Sequence, residues 1–176
     1  MSSANLPGPG DPGASLPSPN ATTWLVDAEA AESLAHFVEV DALDPTRPLA
    51  VMQPARPLRH GTRHVVAVAG AIGPFGERLP QTPGFAELLE AMLASRETPV
   101  RPELRQRANH FREHVFPALR RAGFRDDLSE IQLAWDFITA SEEGQLGTLR
   151  EMREAARSWL DRELLQEGNY GSSGSH

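Results

Sequence analysis

The segment Ile131–Ser141, IQLAWDFITAS, decides how this chain is read. Ile131, Leu133, Trp135, Phe137 and Thr139 alternate with Gln132, Ala134, Asp136, Ile138 and Ala140. A period of two marks a β-strand with one face turned to a core, so the first set is expected to point inward. Asp136 then points the other way, toward arginines of neighbouring helices, as a paired structural carboxylate. Upstream, four short apolar runs read as strands: Thr22–Val26, Leu34–Val40, Leu49–Met52 and His64–Ala69. Pro48, Pro54, Gly61 and Gly70 punctuate them, which predicts an antiparallel β layer.

Between the last two strands the period changes. Thr82-Pro83 is a helix start, followed by a stripe of Phe85, Leu88, Leu89, Met92 and Leu93. A second helix is expected from about Pro102 to Ala122, with Leu104, Ala108, Phe111, Val115, Leu119 and Ala122 on one face. Gly123 is its stop, and Pro117 predicts a kink because it lacks a donor. Thr148 and Glu151 have capping-box spacing and open a last helix, about 148–167. Its apolar face is Leu149, Met152, Ala156, Trp159 and Leu160. The Pro/Gly-rich residues 1–20 read as disordered, and 168–176 as a flexible tail. One domain over 21–167 remains, with a helical insertion at about 82–124.

Composition excludes several classes. The 176 residues carry a net charge of -7, with 17 basic side chains, all of them Arg, and no Cys. Without thiols there is no disulfide framework, cysteine nucleophile or Cys-ligated metal. An acidic chain lacks the electrostatic footprint of a nucleic-acid binder. No apolar run reaches the roughly 18 residues needed to span a membrane, and no secretory signal is visible.

Two stretches carry a family resemblance. PARPLRHGTRHVVAVAG, Pro54–Gly70, resembles the P-x-x-P-L-x-x-G-T-x-Y-x-V-x-V segment of bacterial Ig-like domains, with His64 in place of Tyr. Leu58 would plug the end of a sandwich, and Gly61 would permit a tight turn. RANHFREHVFPALRRAGF, Arg107–Phe124, followed by IQLAWDFITAS, resembles the region upstream of the catalytic domain in secreted bacterial α/β-hydrolases of the extracellular-lipase type. The resemblance spans Thr22 to about Met152. It implies an α+β fold: a partial Ig-like antiparallel β-sandwich with a helical insertion and a C-terminal helix. It also implies an exported, non-catalytic accessory or interaction module. The hydrolase nucleophile elbow needs G-x-S-x-G between strand and helix. The closest string, Gly171-Ser172-Ser173-Gly174-Ser175, has the wrong spacing, so no catalytic residue and no cofactor are assigned.

The alternative is an enzyme, either a hydrolase fragment or a zinc metallohydrolase. His110-Phe111-Arg112-Glu113-His114 spells H-x-x-E-H, in which His110 and His114 share one helix face as candidate metal ligands. Both lie on the flank of the apolar stripe, and two solvated or capping histidines are the plainer reading. Gly70, Gly73 and Gly76 have the wrong spacing for a phosphate loop. Trp135 and Trp159 are in phase with apolar faces and are expected in the core. Asn20-Ala21-Thr22 matches a glycosylation sequon without the context that would support one. The strands that open an Ig-like sandwich are missing. An unpaired edge is therefore expected beside Thr22–Val26 or its neighbour, open to a protein partner or to self-association.

Overall fold

The structure, a computed structural model, describes residues 5–18, 21–41, 49–73, 75–93, 101–124 and 127–170. Asn20 of the sequon and the Gly171–Ser175 string lie outside them. The fold is α+β, in two compact units, residues 1–139 and 140–176.

In the first unit the strands are β1 (Thr23–Asp27), β2 (Glu32–Ser33), β3 (His36–Asp41), β4 (Leu49–Pro54), β5 (Arg63–Ala69) and β6 (Ile131–Ile138). They form two antiparallel sheets, β2-β1-β5-β6 and β3-β4. The helices are α1 (Pro83–Leu93), α2 (Pro102–His110), a π turn (Phe111–Val115) and α3 (Phe116–Arg121). Trp24, Val26, Val65, Ala67, Ala69 and Ala134 bury one face of the large sheet against Phe85, Leu88, Phe111, Val115, Leu119 and Phe124 from the helical segments. The small alanines at the centre of that face leave room for the aromatic rings above them. On the other face, Leu25 and Val66 pack with Leu34, and Met52 and Leu58 lie against them. Gly61, at φ 61°, supplies the left-handed turn into β5.

The helical turns follow from their sequence. The Thr82 carbonyl accepts from the N–H groups of Phe85 and Ala86, both at 2.9 Å, and α1 starts at Pro83. Pro117 does not break its helix. Its missing N–H frees the carbonyl of residue 113, and the preceding turn widens so that the Phe116 N–H donates to the Phe111 carbonyl. Gly123, at φ 108°, closes α3. Its N–H donates to Arg120 O (3.2 Å) and that of Phe124 to Leu119 O (3.0 Å), a paired C-terminal cap that drives Phe124 onto Trp24.

Three expectations need correction. First, β6 is an edge strand, and its bulky row is not the core row. Of that row Ile131 is buried in the core, but Leu133, Trp135 and Phe137 are 39%, 37% and 36% exposed, whereas Gln132 and Ala134 are buried. The helices lie over the Gln132–Ala134–Asp136 phase, where the polar side chains are satisfied internally and Ala134 admits close packing. Second, residues 5–18 are tied down. The Pro7 carbonyl accepts from the Val38 N–H (2.8 Å), and Ser15 Oγ accepts from the His36 N–H (2.9 Å). Proline cannot donate, but its carbonyl caps a strand edge as well as any other. Third, the second unit's helix α4 spans Glu142–Tyr170, so it begins before Thr148 and passes Gly168. Ser141 Oγ accepts from the Gly144 N–H (3.0 Å), and Glu142 and Glu143 occupy the favourable first turn. Met152, Trp159 and Leu160 on α4 are exposed, so Trp159 is no core residue. Among the described residues no helix is long and apolar enough to cross a membrane.

Candidate functional site

The residues singled out from sequence converge on β6. On its helix side, the Asp136 side chain is 8% exposed and pairs with the Arg63 guanidinium from β5. His110, the last residue of α2, brings Nε2 to within 2.9 and 3.0 Å of the two Asp136 oxygens. Asp136 is therefore paired as expected, but by a strand arginine and a histidine rather than by helix arginines. Burial alone would raise the carboxyl pKa. The His110 and Arg63 hydrogen bonds and charges outweigh it and hold Asp136 below the ordinary carboxylate range.

His114 lies one turn on, its ring centroid 5.0 Å from that of His110. The two rings are neighbours, as H-x-x-E-H spacing implies, yet they do not share a ligand geometry. His110 Nε2 is committed to Asp136, while His114 and Glu113 are largely exposed, 4.0 Å apart. Among the described residues no three His, Asp or Glu side chains converge to hold a metal. An open cleft of about 360 Å³ lies beside His110, lined by Glu103, Gln106 and Arg107. It holds charges of both signs and no hydroxyl nucleophile. A carboxylate already bound by Arg63 and His110 orients an imidazole, but it has little capacity left to act as a base.

At the start of β6, Gln132 performs a role the alternation hides. It is the extra residue of a bulge, where Val68 pairs with Leu133 but Ala69 pairs with Ile131. Its buried amide accepts from the Ala71 N–H (2.7 Å) and donates to Ala71 O (2.9 Å) and Leu79 O (2.5 Å). The side chain thus stands in for a strand and pins the Ala71–Leu79 loop. Arg78 and Gln81 donate to the carbonyls of Ser129, Glu130 and Ile131, securing the same corner.

The other side of β6 is its exposed row. Leu133 opposes Val68, Trp135 opposes Val66, and Phe137 opposes His64. Phe137 stacks on the buried His64 ring, with centroids 5.6 Å apart and planes at 21°. His64 Nδ1 lies 3.0 Å from Thr62 O, and its buried Nε2 has no hydrogen-bond partner among the described residues.

Backbone phase completes the site. On β5, Arg63 O accepts from Ala28 N–H and Ala69 N–H donates to Thr22 O, so the odd-numbered residues bond toward β1. The even-numbered ones bond toward Leu133, Trp135 and Phe137, as antiparallel alternation requires. The backbone N–H and C=O groups of Ala134, Asp136 and Ile138 consequently face the outer edge, which no strand pairs among the described residues. β1 pairs with β2 and with β5, so the edge expected beside Thr22–Val26 is not at β1; the sheet ends at β2 and at β6. Arg63 and Gln132 escaped the sequence reading, since their roles depend on strand pairing. Compared with models of known protein families, with curated proteins and with solved structures, the chain finds no match in any of the three.

Proposed function

We propose that this chain is a non-catalytic interaction module whose working surface is β6. It corresponds, on this reading, to the exported Ig-like and helical region that precedes the catalytic domain in extracellular-lipase-type α/β-hydrolases. The observation that carries the reading is the state of β6. It ends its sheet with backbone groups that no strand pairs among the described residues, and it offers Leu133, Trp135 and Phe137 to solvent. Its one charge, Asp136, is bound on the opposite side. An exposed apolar row beside a free edge is the arrangement that strand-adding partners use: main-chain bonds give affinity and alternate side chains give specificity. Met52 and Leu58 over Leu25 and Val66 support the Ig-like layering that the resemblance implies.

The enzyme reading draws on the His110–Asp136 pair, whose imidazole and carboxylate are those of an acid–base dyad. Assay of the purified chain on short- and long-chain acyl esters, with and without added zinc, separates the two. The module reading expects no turnover. Turnover abolished by His110→Ala would overturn it. Sequencing the flanking reading frame adds an independent check, since the resemblance expects a G-x-S-x-G domain encoded downstream.

A further inference from the structure

We propose that residues 5–18 form a releasable strap latched at His36, and that protonation of the His36 imidazole in mild acid frees the strap and uncovers the outer edge of β3. The proposal is independent of the reading of β6. Pro7 O and Ser15 Oγ take the N–H groups of Val38 and His36, at 2.8 and 2.9 Å, so the strap lies along the side of β3 that β4 does not pair. Pro7 and Ser15 are also the strap's two buried residues, which makes these bonds its deepest attachments. Asn5 adds two ties nearer solvent: its Nδ2 donates to Gly70 O (2.7 Å), and its carbonyl accepts from Thr22 Oγ1 (2.6 Å). Among the described residues, no part of the strap belongs to either hydrophobic cluster. A segment with so few buried apolar contacts can open while the core stays folded.

His36 is where the strap, β1 and β3 meet. Ser15 holds its backbone, and its ring is fully buried. Leu34 O can only accept, so Nδ1, 2.9 Å away, carries the ring proton, and Nε2 takes the Thr23 hydroxyl at 2.9 Å. That hydroxyl can turn to accept from a second proton, but no carboxylate is placed to neutralise the charge. On the strap Asp11 is exposed; on β1 Asp27 is bound by Arg59, and on β2 Glu32 is bound by Arg56. On β3 Glu39 accepts from Gln53 and Asp41 ends the strand, while the residue opposite His36 on β4 is Pro54. Burial accordingly pushes His36 below the ordinary histidine range, against the opposing Leu34 bond. Released, the ring meets water and titrates near about 6.5. Closure is therefore at full strength above that pH and weakens as pH falls toward the closed-state value.

Amide exchange on the full chain, corrected for intrinsic rates, tests the device at about pH 7.5 and about pH 5.5. At both values the His36 and Val38 amides are expected to be less protected than Val65, which is fully buried in β5. In acid they are expected to lose protection severalfold, at most about tenfold. His36→Gln cannot titrate and is expected to remove that acid loss. Ser15→Ala leaves the imidazole intact and is expected, at neutral pH, to lower protection at His36 and Val38 but not at Val65; it keeps the release testable if His36→Gln fails to fold. Protection at His36 and Val38 equal to that at Val65 means that the strap leaves only with the fold, and overturns the release. So does Ser15→Ala with both amides unchanged. No acid loss in the wild type, or one that persists in His36→Gln, overturns His36 as the latch.

Discussion

Replacing Gln132 by Glu changes one atom type at nearly constant volume and tests how the corner at β6 is held. The buried amide makes three bonds to Ala71 and Leu79. Glutamate keeps the acceptor for the Ala71 N–H but turns two donated bonds into oxygen–oxygen contacts. Each carbonyl left unsatisfied in a buried site costs about 1–3 kcal/mol, so Gln132→Glu is expected to lose about 3–5 kcal/mol at neutral pH. In a chain of this size that lowers the melting temperature by about 6–20 °C. Protonation restores one donor, so the fold favours the neutral acid and raises the carboxyl pKa above its unfolded value. The sign follows. The penalty is smallest below about pH 4.3, where the side chain is protonated folded or unfolded, and it grows as pH rises toward the folded pKa. Denaturant titrations of both proteins from acid to neutral pH measure it. A penalty under about 1 kcal/mol that does not vary with pH would refute the assignment of Gln132 as a buried donor.

Other substitutions probe the same frame. Asp136→Asn keeps the shape but removes the charged acceptor shared by Arg63 and His110; both partners can partly hydrate, so a loss of about 1.5–3 kcal/mol is expected by chemical denaturation. Because the folded Asp136 pKa is depressed, its contribution is present above about pH 3.9 and lost as pH falls through the folded value, and this acid limb should be weaker in Asp136→Asn. Burial lowers the pKa of His36, outweighing the bond to Leu34 O, so stability should fall as pH drops below about 6.5 toward the folded value. Melts from pH 4 to 8 should show that slope in the wild type and not in His36→Gln, and equal slopes would sink the assignment. Gly123→Ala meets Pro17 Cβ at only 3.4 Å, but at φ 108° it should still cost about 1–2 kcal/mol. Trp135→Ala should cost about 1–2 kcal/mol in the monomer, below the range for a fully buried aromatic, because the ring is half in solvent.

The elements of the first unit were legible because local chemistry agrees with tertiary context. Thr82-Pro83 starts α1, Gly123 ends α3, and Val65 and Val66 lie buried at the centre of β5. Where the reading failed, a local signal had a stronger competitor. Thr148 and Glu151 match a capping box, but Ser141 caps seven residues earlier, and its two following glutamates reinforce that start. Pro117 was readable as a disturbance, and the helix takes it up in one widened turn. The prolines of residues 5–18 remove donors, which composition registers, but their carbonyls still accept, which composition does not.

β6 shows why the site was harder to read than the fold. Alternation separates two faces of a strand, and hydrophobicity is then used to choose the buried one. That choice assumes buried polar groups are costly, which holds only when they lack partners. Here Gln132 and Asp136 find theirs on the loop, on β5 and on α2, so the polar phase is the one that enters the core. Leu133, Trp135 and Phe137 are left outside, beside backbone groups that no strand takes up among the described residues. Neither partner set is visible in IQLAWDFITAS itself; each lies at least 26 residues away along the chain. The inversion also underlies the interaction role proposed for this strand. An edge strand that hides its charge and shows its aromatics favours association, and the same bonds that make Asp136 structural remove the charge that would otherwise keep a neighbouring strand away.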